Sequence, residues 1–138
     1  MDVQDLGYAL TQVVHNLGAV SVTGGAAAAW TLALAEQPAV QRRLVWLVLA
    51  GWVAQGVSGL CFGTISYASY GHLPDIHGLA IGALILKMIC AAAGISLATL
   101  YLTRASGWTT ARRRGACCAL FSFALTALIA AAFLRWFS

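Results

Sequence analysis

The sequence predicts an all-α integral membrane fold, a four-helix up-down bundle built as one domain over residues 1–138. Three observations carry this. Of the 138 residues, 61% are apolar and 9% charged, against about 25% charged in an ordinary soluble domain. Four apolar stretches reach the roughly 20 residues that a helix needs to cross the hydrocarbon core of a bilayer. The stretches between them are short, which makes consecutive helices antiparallel neighbours.

The first span covers residues 6–35 and is interrupted only by single polar residues. Its start, Met1-Asp2-Val3-Gln4-Asp5, is acidic, whereas a secretory signal begins with a basic stretch and a shorter apolar run. The segment therefore reads as a retained helix. The second, third and fourth spans cover residues 44–66, 78–103 and 115–137, with connections at 36–43, 67–77 and 104–114. Twelve charged side chains cannot cover the surface of a soluble domain of this size. The basic balance is no nucleic-acid footprint either, because the positive charge falls in two short connections rather than along a face.

Those connections set the expected orientation. Arg42 and Arg43 lie in the first, and Arg104, Arg112, Arg113 and Arg114 in or beside the third, while the second carries Asp75. Arginine-bearing loops stay in the cytoplasm. Both termini and the 67–77 loop are then expected on the periplasmic side of a bacterial inner membrane, with Arg135 the one dissenting charge. Aromatic residues prefer the headgroup region. Tyr8, Tyr67, Tyr70 and Trp136 make one belt, and Trp30, Trp46, Tyr101 and Trp108 the other. Gly59 and Gly63, and Gly78 and Gly82, stand four apart, a spacing that lets helices approach closely or opens a slot for a flat cofactor.

Ionisable groups inside a span are costly and mark function by default. His15 lies in the first span, 22 residues before Gln37 and so about 33 Å from that end; His77 is 27 residues, about 40 Å, before Arg104. Counted this way the two imidazoles stand at similar depth, where they would hold a b-type haem or a copper ion. A second grouping, His72, Asp75 and His77, sits in the loop stiffened by Pro74, and imidazole with carboxylate suits a divalent copper or zinc ion. Lys87 is the one charge deep in a span. Its stem either snorkels outward or its ammonium meets an anion such as a propionate, a lipid phosphate or a carboxylate. Met88 and Cys90 beside it are sparse soft donors. Cys61, Cys90, Cys117 and Cys118 all fall in apolar runs, where cysteine behaves as a small apolar residue.

The run from His15 to the pair Gly24-Gly25, with glycines nine and ten residues after the histidine, resembles the signature of the copper-resistance protein D (CopD) family. Val22 stands where that family usually has tryptophan. Gly82-Ala-Leu-Ile-Leu-Lys87 resembles the family's lysine-bearing helix, and Gln55-Gly56 of the second span matches loosely. The resemblance covers residues 13–104. It implies a four-helix membrane module linked to copper handling across the inner membrane, with His15 the residue most worth carrying over and Lys87 second. The module also looks like the four-helix haem-binding membrane cytochromes.

The leading expectation is a copper-handling membrane protein that receives the ion at His72, Asp75 and His77 and passes it to His15. A haem b electron carrier is the second, with His15 and His77 as axial ligands, Lys87 or the loop arginines meeting the propionates, and Gly24, Gly25, Gly78 and Gly82 making room. A cofactor-free packing subunit is the third. Expected partners are membrane lipid and a periplasmic metal chaperone or cytochrome, or a quinone, in a homo- or hetero-oligomer. The sequence shows no nucleophile with a base, no paired carboxylates and no phosphate-binding loop, which leaves redox chemistry through a bound haem as the enzymatic route to consider.

Overall fold

The computed structural model describes residues 3–33, 36–72 and 76–137. The chain forms α1 (Val3–Leu32), α2 (Pro38–Tyr70), α3 (Leu79–Arg104) and α4 (Thr110–Phe137), with one 3-10 turn, Ala105–Gly107, after α3. The described residues contain no strand. Pro38 opens α2 at its first position, where the missing N–H costs nothing and the fixed φ suits a helix. α3 matches its expected span within a residue and α1 ends at Leu32, short of the expected residue 35, whereas α2 and α4 begin before their expected spans. Arg42 and Arg43 belong to α2, and Arg112, Arg113 and Arg114 to α4, because a helix continues past its apolar stretch wherever good helix formers follow. At the other end Gly71 terminates α2 in the left-handed conformation (φ 74°), its N–H donating to the Tyr67 carbonyl at 2.9 Å, the usual glycine cap. Gly78 (φ 53°) turns the chain into α3.

The helices close into a ring in which α1 packs on α2, α2 on α3, α3 on α4 and α4 on α1, most extensively within the pairs α1–α2 and α3–α4. Neighbours are antiparallel. Gly7 of α1 faces Ile65 of α2, Gly18 faces Gly51, and Gly25 faces Val48. Three helical stretches are long and apolar enough to cross a membrane, namely Pro38–Tyr70, Leu79–Gly107 and Thr110–Trp136; α1 is as long, and Gln12, His15 and Asn16 interrupt it. The exterior is apolar, with Leu17, Val20, Leu60 and Leu79 all more than 60% exposed, while Gln41, Gln55, Ser58 and Ser66 are buried.

The close helix contact lies elsewhere than the sequence spacing suggests. Gly59, Gly78 and Gly82 have open space where a Cβ would stand. The glycines that bring backbones together are Gly18 and Gly51 between α1 and α2, and Gly94, over which the Trp52 indole lies between α2 and α3. The core fills the half of the bundle nearer the arginines, with Val22, Val48, Trp52, Ala98, Tyr101 and Leu120 at its heart. Buried Gln41 ties this half together. Its amide donates to the Ala29 carbonyl of α1 (3.2 Å), and its carbonyl oxygen accepts from the Tyr101 hydroxyl of α3 (3.3 Å). Tyr101, expected in an aromatic belt, is instead buried in the core, where it meets Trp108 edge-on at 5.8 Å; at the other end Tyr8 stacks on Phe62 at 6.2 Å.

Candidate functional site

On α1, His15 shares one face with Gly18, Val22 and Gly25, the face that packs on α2. On α2, Gln55, Ser58 and Phe62 are spaced by three and four residues and so share a face as well. The close approach at Gly18 and Gly51 seats these two faces against each other. His15 Nδ1 stands 2.7 Å from Ser58 Oγ, and the Ser58 hydroxyl donates to the Ala54 carbonyl at 2.6 Å. That hydroxyl has one proton, so it accepts from His15, and Nδ1 carries the hydrogen. Nε2 is then the acceptor, and Lys87 of α3 donates to it at 3.0 Å. The Gln55 amide donates to the His15 backbone carbonyl, and Phe62 meets the ring edge-on at 5.6 Å. One imidazole is thereby fixed in tautomer and orientation by three helices.

The pair lies in the wall of a cavity of about 480 Å³ that borders the core at Val22, Trp52, Ala124 and Ala127. Gln55, Trp52 and Phe62 of α2 line it, and an alanine wall on α4 (Ala124, Ala127, Ala131) faces them. Exposed Gln12 and Asn16 of α1 and Leu128 and Arg135 of α4 border it. Trp52 Nε1 is buried without a hydrogen-bond partner among the described residues, and a buried donor left in that state is costly.

The structure brings together His15 and Lys87, and separates them from the other expected ligands. His77 precedes α3 and is exposed, and His72 follows the end of α2 and is exposed, its carbonyl accepting from Ser66 at 3.3 Å. Asp75 and Pro74 lie outside the described residues. The expected match in depth between His15 and His77 is replaced by one between His15 and Lys87. The Gln41 bridge shows which residues are level: Ala29 and Tyr101 share a layer, and His15 and Lys87 each stand 14 residues from it, about 21 Å. Counting from Gln37 and Arg104 assumed that the helices end level, which they do not. Met88 points outward, 63% exposed, and Cys90 is buried in the core. Gly24 has open space beside it and Gly25 packs on Val48, so the room at the site comes from the α4 alanines rather than from glycines. Among the described residues, no three of His, Cys, Asp and Glu stand close enough to hold a metal ion.

Sequence reasoning missed Ser58, Trp52 and the alanine wall. Gln55 and Ser58, polar and three apart within an apolar stretch, were the available signal. The molecule is thus a helical bundle, three of whose helices are long and apolar enough for a membrane, with a histidine–lysine pair in a half-open interior. The chain matches no protein-family model, no curated protein and no solved structure.

Proposed function

We propose that this chain is a multi-pass protein of the bacterial inner membrane, of the copper-resistance protein D type, and that it handles copper through His15. The arginine-bearing ends of α2, α3 and α4 lie in the cytoplasm by the positive-inside rule, which puts the exposed loop histidines, His72 and His77, on the periplasmic side. The carrying observation is that His15 and Lys87, the residues singled out by the family resemblance, meet at 3.0 Å although 72 positions apart.

The chemistry of the donor set supports a ligand role for His15. A metal-binding imidazole is usually oriented by a hydrogen bond from its other ring nitrogen, and Ser58 supplies it. Nε2 then offers its lone pair toward Lys87. Copper and the lysine amine cannot occupy that lone pair together, so loading the ion requires Lys87 to swing away on its four-carbon stem. Lys87→Leu therefore raises copper retention, and His15→Ala abolishes it. Copper titration of the purified protein and both variants tests the reading. Equal copper binding by wild type and His15→Ala, or no effect of Lys87→Leu, overturns it.

The cavity favours a second reading, haem b. Its alanine wall and its lining cations, Lys87 and Arg135, suit a flat group with carboxylate arms, and His15 would help to hold it. Such a haem supplies one-electron transfer when bound, toward a quinone or a periplasmic cytochrome. No second histidine stands level with His15 among the described residues. An α-band in the dithionite-reduced spectrum, lost on His15→Ala, would select this reading over copper.

A further inference from the structure

The opposite end of the bundle holds a second cavity that the copper reading does not use. It measures about 220 Å³ and is lined by Pro38, Ala39 and Arg42 of α2, Tyr101 at the end of α3, Ser106 and Arg113 of α4. The two guanidinium groups come from different helices and are both held in place by the backbone. Arg42 Nη1 donates to the Leu102 carbonyl at 2.6 Å, capping a group in the last turn of α3 that has no acceptor role within the helix. Arg113 donates through Nε and Nη2 to the Trp108 carbonyl at 3.2 and 2.9 Å. A guanidinium has five N–H donors, so each keeps several for another acceptor. Ala39 adds an amide from the first turn of α2, where the helix dipole favours negative charge.

Among the described residues, no carboxylate lines this cavity. Of the four acidic residues in the chain, Glu36 alone falls near the arginine-bearing connections, against six arginines. Two anchored guanidinium groups and a serine hydroxyl around one space, beside the start of α2, define a receptor for a tetrahedral oxyanion, because arginine forks match phosphate oxygens in pairs. The place selects the source. This is the arginine-bearing end, with Trp30 and Trp108 half-buried beside it, and basic pockets between membrane helices on the cytoplasmic side take lipid head groups. We infer that the Arg42–Arg113 cleft binds the phosphate of an anionic lipid from the cytoplasmic leaflet. The inference rests on the membrane placement and is independent of what His15 binds.

The test uses the full chain in neutral detergent. Native mass spectrometry counts bound short-chain phosphatidylglycerol and phosphatidylcholine of equal chain length, and inorganic phosphate is added as competitor. The expected result is one tightly held phosphatidylglycerol, with phosphatidylcholine, whose choline cation the two guanidinium groups repel, weaker by about tenfold or more. The double variant Arg42→Gln/Arg113→Gln should lose the same factor. Arg43→Gln/Arg114→Gln removes equal charge from exposed positions outside the cleft and should bind as wild type does. Ala39→Glu leaves both arginines in place on an exposed helix start and should also weaken binding, with unchanged far-ultraviolet circular dichroism. Equal losses in the two arginine pairs, or no preference for phosphatidylglycerol, would show diffuse attraction and overturn the site. Displacement of the lipid by millimolar phosphate would make free phosphate the ligand and overturn the lipid assignment.

Discussion

Gly51→Ala should damage this bundle, whereas Gly59→Ala, two turns along the same helix, should not. At Gly51 an added Cβ stands 2.8 Å from Val22 Cγ2, 2.9 Å from the Gly18 carbonyl oxygen and 3.0 Å from the Val22 amide nitrogen. Two of these three are backbone atoms, which no rotamer change can move. The α1 and α2 axes must separate, and a gap of about 0.5–1 Å forfeits a quarter to a half of each contact's attraction. Overpacking of this kind costs about 1–3 kcal/mol, and the better helix propensity of alanine returns about 0.8–1 kcal/mol of it. At Gly59 nothing lies within 4 Å of the added carbon, so only the propensity gain remains. The two variants should differ by about 1–3 kcal/mol. Unfolding in mixed micelles of increasing dodecyl sulfate fraction, followed by far-ultraviolet circular dichroism, measures that difference. A Gly51→Ala protein as stable as Gly59→Ala would refute the α1–α2 contact, and with it the seating of His15 against Ser58.

The same packing yields further expectations. Gly94→Ala places its Cβ 2.6 Å from Trp52 Cε2, so the indole must leave its seat at a cost of about 1–3 kcal/mol, seen as a lower unfolding midpoint and a shifted tryptophan emission. Gln41→Leu removes the bridge between Ala29 and Tyr101 and should cost about 1–3 kcal/mol; combined with Tyr101→Phe the loss should be less than additive, because the second change removes a group already left without that partner. Ser58→Ala should lower the ligand affinity of His15 by about tenfold or more without unfolding the protein, the usual effect of losing the bond that orients a ligating imidazole; an unchanged affinity in a copper titration would remove Ser58 from the site.

The large-scale features were legible because they rest on sums over many residues. Apolar runs gave four helices, and six arginines at one end gave a polarity to the bundle. His15 and Lys87 stood out because each is an ionisable group within an apolar stretch. Their meeting was not legible. It depends on which layer of α1 faces which layer of α3, and that register is set by the Gln41 bridge and by Gly18 on Gly51, contacts between residues far apart in the chain. Glycine spacing misled for a related reason: Gly59 and Gly82 have open space where a Cβ would stand, and only the rotation of each helix decides whether a small residue is a contact or a gap. The loop histidines were conspicuous by residue type, yet His72 and His77 lie at the bundle's end, away from the cavity.

The proposed role of His15 as the copper ligand is tested most directly by the composition of the purified protein. Wild type and His15→Ala, expressed in cells supplied with copper and haem and purified in mild detergent, would be compared by metal analysis and by oxidised and dithionite-reduced spectra on the same samples. Copper is expected in the wild type, near one ion per chain, and its loss in the variant with helix content preserved. Copper retained in full by His15→Ala, or a wild-type protein that carries neither copper nor haem under these conditions, would contradict that role.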